Sequence, residues 1–164
     1  MYLVLRRLLF ILQLDYLVGN FTERIIVNIN DDEFKRWIKS HEGFSRKLYK
    51  DSVGKTTIGY GRNVEDNGIS QQEADFMLNN DIERACNELK EYRWFLQAPD
   101  GVRCSLVNMC FNMGISRLLG FKNMIKALVE KNYTQAAIEA LDSQWAKQVV
   151  QRAKDVAVMI REGK

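Results

Sequence analysis

The chain has 164 residues, of which 24 are Lys or Arg and 21 Asp or Glu, for a net charge of +3 and 46% hydrophobic content. That supplies one globular domain, with room for two lobes. The small charge excess and the lack of a basic-aromatic stripe exclude a dedicated nucleic-acid binder. Three cysteines cannot all pair internally, and a single histidine leaves no metal-ligand spacing. With no phosphate-binding glycine loop or nucleophile elbow, no cofactor and no metal are expected.

Residues 1–28 form an N-terminal unit. The uncharged run Leu8–Leu14 is too short for a spanning helix of about 20 residues, so no stable membrane span is expected. Arg6 and Arg7 before it allow a weak signal peptide, yet no small-residue cleavage site follows. An amphipathic helix packing on the body and a non-native extension upstream of the domain start compete with export.

Residues 29–69 hold the chemistry. Phe34, Trp37, Ile38 and His41 recur at helical spacing, with Asn30 and Glu33 as a capping pair and Gly43 as the stop. Glu42 falls on the apolar face. Its carboxyl group is therefore expected against packed apolar surface, where desolvation disfavours charge, as a general acid requires. Nine residues later Asp51 opens the turn Ser52-Val53-Gly54-Lys55, which reads as a hairpin. Asp51 either stays solvated and ionised to hold a water, or caps its own backbone. Thr57 starts the strand Thr57-Ile58-Gly59-Tyr60-Gly61, where Gly59 and Gly61 allow a ligand or another backbone to come close. Two carboxyl groups in such a helix-turn-strand context fit glycosidic bond cleavage.

Ser70 and Glu73 form a capping box that opens a helix over residues 70–92. Asp100 is expected to cap a helix ending at Gly114. Val102–Met113 is apolar nearly all round, so Cys104 and Cys110 read as buried thiols suited to a reducing compartment. Further helices begin near Ser116, near Thr134 and after Trp145. Trp145 reads as core. The whole is a predominantly helical α+β chain, with residues 93–164 forming a helical lobe.

Glu42-Gly43, Tyr49-Lys50-Asp51 and Thr57-Ile58-Gly59-Tyr60-Gly61 together resemble the catalytic signature of the T-even phage lysozymes. Ile69-Ser70-Gln71-Gln72-Glu73-Ala74, Phe111-Asn112-Met113-Gly114 and Gln144-Trp145 with Gln151-Arg152-Ala153-Lys154 are similar to later segments of that family. The resemblance covers about Ile29 to Gly163. It implies a lysozyme-like fold: a small antiparallel sheet, an interlobe helix, and a glycan groove between two lobes over residues 29–164. It implies a muramidase that cuts peptidoglycan between N-acetylmuramic acid and N-acetylglucosamine. Glu42 would be the general acid, and Asp51 with Thr57 would position water in an inverting reaction. Phe111, Asn63 and Arg152 would contact substrate, although Asn63, Met124 and Glu139 differ in type from the family's residues. Arg152 is also a partner for Glu42. Arg62 replaces the family's histidine, and a structural pair with Asp81, read as lying on an apolar helix face, is expected. The implied setting is host lysis by a phage or prophage. A monomer would sit in the host cytoplasm, reaching the periplasmic wall through a separate holin or by export through residues 1–28. The alternatives are a non-catalytic wall-binding protein and a lytic transglycosylase on the same fold.

Overall fold

The computed structural model describes residues 32–163; the readings on residues 1–28 and on Asn30 lie outside them. The chain divides into two compact units, with the boundary between Gly68 and Ile69.

In the first unit, α1 spans Asp32–Glu42. Asp32 and Glu33 in its first turn and Lys39 and His41 in its last match the helix dipole. It stops where expected, before Gly43 at φ +67°. Phe34 and Trp37 stack at 6.1 Å, and Trp37 meets His41 edge-on at 5.0 Å. No residue of α1 is buried, and Trp37 is 61% exposed. An antiparallel sheet follows, β1 Ser45–Lys50, β2 Thr56–Gly59 and β3 Arg62–Asn63 in that order. Tyr49 pairs with Thr57 and Lys50 with Thr56, with an irregularity between Ser45 and Tyr49. Thr57 also faces Asn63 across β3. A single turn, α2 Val64–Asn67, completes the described part of this unit, and the Asn63 side chain caps it by accepting from Asp66 N–H at 3.0 Å.

The second unit is all helix among its described residues. α3, Gln71–Leu89, starts at the capping box read from sequence: Glu73 N–H donates to Ser70 Oγ, and Ser70 N–H to Glu73 Oε2 at 2.7 Å. It ends before Tyr92, because Tyr92 is extended and starts the short α4, Arg93–Leu96. α5 spans Asp100–Met113. Pro99, not Asp100, stands at its N-cap; Asp100 is in the first turn and pairs with Arg103. α6 Ile115–Leu118, α7 Lys122–Val129, α8 Tyr133–Leu141, α9 Gln144–Gln148 and α10 Val150–Glu162 follow.

The core of this unit sits where α5 packs on α3 and α10, and α10 on α8. Val102, Leu106 and Met109 of α5 are wholly buried. Ala136 and Ala140 of α8 and Ala153 and Ala157 of α10 are buried, small side chains that suit close approach of helices. Ser105 is buried with them, and its hydroxyl donates to the Val156 carbonyl, so its polar atom is matched.

Cys104 does not share the burial expected of both thiols. Cys110 is buried but Cys104 is exposed. The buried residues of α5 recur as 101/102, 105/106 and 109/110, a single helical stripe. Cys104 falls outside it, despite apolar neighbours all round. Burial pushes the Cys110 thiol up to about 11, helped by its bond to Glu88.

Iodoacetamide at neutral pH should therefore modify Cys104 first and Cys110 last, because the thiolate is the nucleophile; mass spectrometry of partly labelled protein reads the order. Leu106→Ala should lower unfolding free energy in urea by about 2–5 kcal/mol.

Candidate active site

Glu42 is the last residue of α1. Its side chain is exposed, contrary to the packed apolar setting expected of it. Its carboxylate lies close to Gly61. A Cβ placed on Gly61 would lie 2.9 Å from Glu42 Oε2. Gly61 also sits at φ +80°, a conformation other residues rarely adopt. The positive φ of the bend between β2 and β3 calls for glycine, and the absent side chain leaves room for the Glu42 carboxylate beside it. The sequence led to the expectation that a ligand or backbone approaches Gly61; the neighbour there is the Glu42 side chain.

Asp51 closes the hairpin between β1 and β2. Its Oδ1 accepts from Val53 N–H at 3.0 Å and from Lys55 N–H at 2.8 Å. Its backbone N–H bonds to the Lys55 carbonyl, and its carbonyl accepts from Gly54 N–H. Oδ2 faces Thr57 Oγ1 at 3.4 Å. The turn-capping reading is thus present on Oδ1, while Oδ2 is turned towards Thr57. Thr57 is 2% exposed, and its hydroxyl also lies 3.2 Å from the Lys55 carbonyl. With one proton it donates to one of these acceptors at a time.

A charge network holds this hairpin against α2. Glu65 accepts from Thr56 N–H and Thr56 Oγ1, both at 3.0 Å, and from Lys50 Nζ at 3.3 Å. Lys55 Nζ lies 2.9 Å from Asp66 and 3.6 Å from Glu65. The Thr56 bonds hold the Glu65 carboxyl below its usual range, and the Lys55 bond does the same for Asp66. Sequence reading missed these partners, because residues 11 and 15 apart gave no signal.

The other predicted residues fall as follows. Asn63 is engaged with Asp66 through both its amide oxygen and its amide nitrogen. Arg62 donates twice to the Gly68 carbonyl, at 3.0 and 2.9 Å. Asp81 pairs with Arg84 at 3.0 Å and its side chain is 43% exposed, not held on a buried face. Phe111, partly exposed, lines a cavity of about 510 Å³ in the second unit with Asp81, Arg84 and Glu88. Arg152 is exposed on α10. Trp145 is buried, as expected of a core residue. Its Nε1 donates to Asn112 Oδ1 at 2.7 Å, joining two of the segments that carried the resemblance. Met124 and Glu139 line a second cavity of about 630 Å³ with Trp145.

A glutamate at a helix end and an aspartate facing a buried threonine, brought into one small unit, are the parts of a two-carboxylate glycoside hydrolase. The phage lysozyme family model matches residues 39–161. Probable T4-type lysozyme 2 of Dictyostelium discoideum is 26% identical over 159 residues, covering 79% of this chain and 94% of that one. Probable T4-type lysozyme 1 of the same organism shows the same identity and coverage. The pre-baseplate central spike protein Gp5 of Enterobacteria phage T4 is 26% identical over 157 residues, 77% of this chain but 27% of its own length. The chain belongs to the phage lysozyme family and is a lysozyme-type glycoside hydrolase acting on peptidoglycan.

Gly61→Ala should displace the Glu42 carboxylate by several tenths of an ångström or more, lowering wall-hydrolysis rate by about 100-fold. The helical core lies in the other unit, so far-UV circular dichroism should be unchanged. Native rate in this variant would show that the carboxylate does not need this seat.

Proposed function

We propose that this chain is an inverting muramidase, cleaving the β-1,4 bond between N-acetylmuramic acid and N-acetylglucosamine. Glu42 is the general acid and protonates the departing glycosidic oxygen. Positive charge then builds on the sugar ring. Asp51 Oδ2 and the Thr57 hydroxyl hold the water that attacks the opposite face. The observation that carries the reading is the division of labour on Asp51. Its Oδ1 is occupied by two backbone donors, while Oδ2 faces a buried hydroxyl. A turn residue alone would not need Thr57 there. When the Thr57 proton is given to the Lys55 carbonyl, Oδ2 is left to accept from water, and the Thr57 oxygen can accept from the same molecule.

Phe111 and Arg152 are the proposed sugar contacts, with Arg152 also available to pair with the Glu42 carboxylate. Asn63 is the weaker proposal, because its amide is already committed to Asp66. The Arg62–Asp81 pair would add to the bonds these residues make with Gly68 and Arg84. The enzyme would act as a monomer in host lysis, held in the cytoplasm until a holin or export through residues 1–28 admits it to the wall. No helix among the described residues is long and apolar enough to cross a membrane.

Glu42→Gln should abolish clearing of outer-membrane-stripped Gram-negative cells while the protein still folds. Asp51→Asn should cripple hydrolysis too, and its products decide the mechanism. Reducing muramic ends are expected from the wild type. Anhydro-muramic ends, with Asp51→Asn still active, would replace the hydrolase by a transglycosylase.

A further inference from the structure

A third cavity, of about 170 Å³, opens in the second unit where the start of α4 meets the connection from α7 to α8. Arg93, Trp94, Gln97, Lys131 and Tyr133 line it. Its charge is of one sign. The two larger cavities mix signs, with Arg117 and Lys122 beside Glu139 and Asp142 in one, and Arg84 beside Asp81 and Glu88 in the other. Neither Arg93 nor Lys131 takes part in an ion pair among the described residues. Trp94 is half-buried, and its ring is fixed against Tyr92 at 5.5 Å.

Lys131 carries a second, independent signal. It is the one non-glycine residue with positive φ among those described, at +56°. It follows the C-cap of α7, and Asn132 N–H reaches back to the Ala127 carbonyl at 2.8 Å. That is the left-handed helix ending where glycine ordinarily stands. A lysine there is strained, and its side chain makes no hydrogen bond or ion pair among the described residues to offset the strain. Strain of this kind gathers where a side chain is used.

We propose that this cavity is an accessory binding site for an anionic saccharide. One sugar ring lies against Trp94 and Tyr133, and its carboxylate or phosphate sits between Arg93 and Lys131, with Gln97 for a ring hydroxyl. Charge-assisted hydrogen bonds to two cations select acidic over neutral sugars. The lactyl carboxylate of muramic acid and the phosphate of a glycerol-phosphate wall polymer share this chemistry; naming wall saccharides as the source rests on the muramidase reading.

The test uses full-length Glu42→Gln protein, so that no ligand is consumed. The Trp94 indole N–H signal is titrated by NMR with N-acetylmuramic acid, glycerol phosphate and neutral N-acetylglucosamine. An acidic ligand should shift the signal and the neutral one should not. Whichever acid binds identifies the source. Lys131→Gly should weaken that binding about tenfold, the loss of one charge-assisted bond. It should leave the melting temperature equal or higher, since glycine relaxes the strained φ. Arg93→Gln should weaken binding similarly. The proposal is overturned if no ligand moves Trp94, if the neutral sugar binds as well as the acids, or if Lys131→Gly changes melting without changing affinity. Clearing of stripped cells by wild type but not by Glu42→Gln tests the muramidase reading separately, so a silent Trp94 beside clear lysis would sink this site alone.

Discussion

The first unit turns on the Asp51 carboxylate. Two backbone N–H groups converge on one of its oxygens, and the hairpin that brings Asp51 opposite Thr57 closes on them. Charge-assisted bonds from backbone donors are stronger than neutral ones. The same side chain therefore shapes the turn and presents the oxygen that faces Thr57. An asparagine would keep an acceptor for the turn and lose the charge, whereas an alanine would lose both.

Around that turn, position is enforced by contacts of different kinds. Glu42 lies against a backbone with no side chain at Gly61. Thr57 is held by burial and by pairing in the middle of the sheet. The outer side of the hairpin is held by charge, through Lys50, Lys55, Glu65 and Asp66. These exposed pairs individually contribute little. Their value is geometric, since Glu65 ties the first residue of β2 to α2 by two bonds from Thr56.

What was legible in the sequence was local. The stop of α1 at Gly43, the turn at Gly54 and the capping box of Ser70 and Glu73 each rest on residues a few positions apart, and each is present. The joint ordering of Glu42, Asp51 and Thr57 was legible through resemblance and not through periodicity. What was not legible was long-range or geometric. Periodicity could not place Cys104, because every face of α5 has apolar residues and only packing selects one stripe. The end of α3 is decided by the extended backbone of Tyr92, which no residue type announces. Glu42 was read as facing packed apolar surface, because a helical wheel reports a face and not what covers it.

The proposed acid–base site and the hydrophobic core belong to different units. Among the described residues of the first unit Thr57 alone is buried, whereas the second unit holds the whole cluster of buried apolar side chains. Free energies of local opening follow buried apolar contacts. Amide protons of β1 and β2 should then exchange through partial openings that leave α5 and α10 protected. The geometry of the proposed site should then be lost before the helical core melts, so that thermal inactivation and the calorimetric transition report two different events.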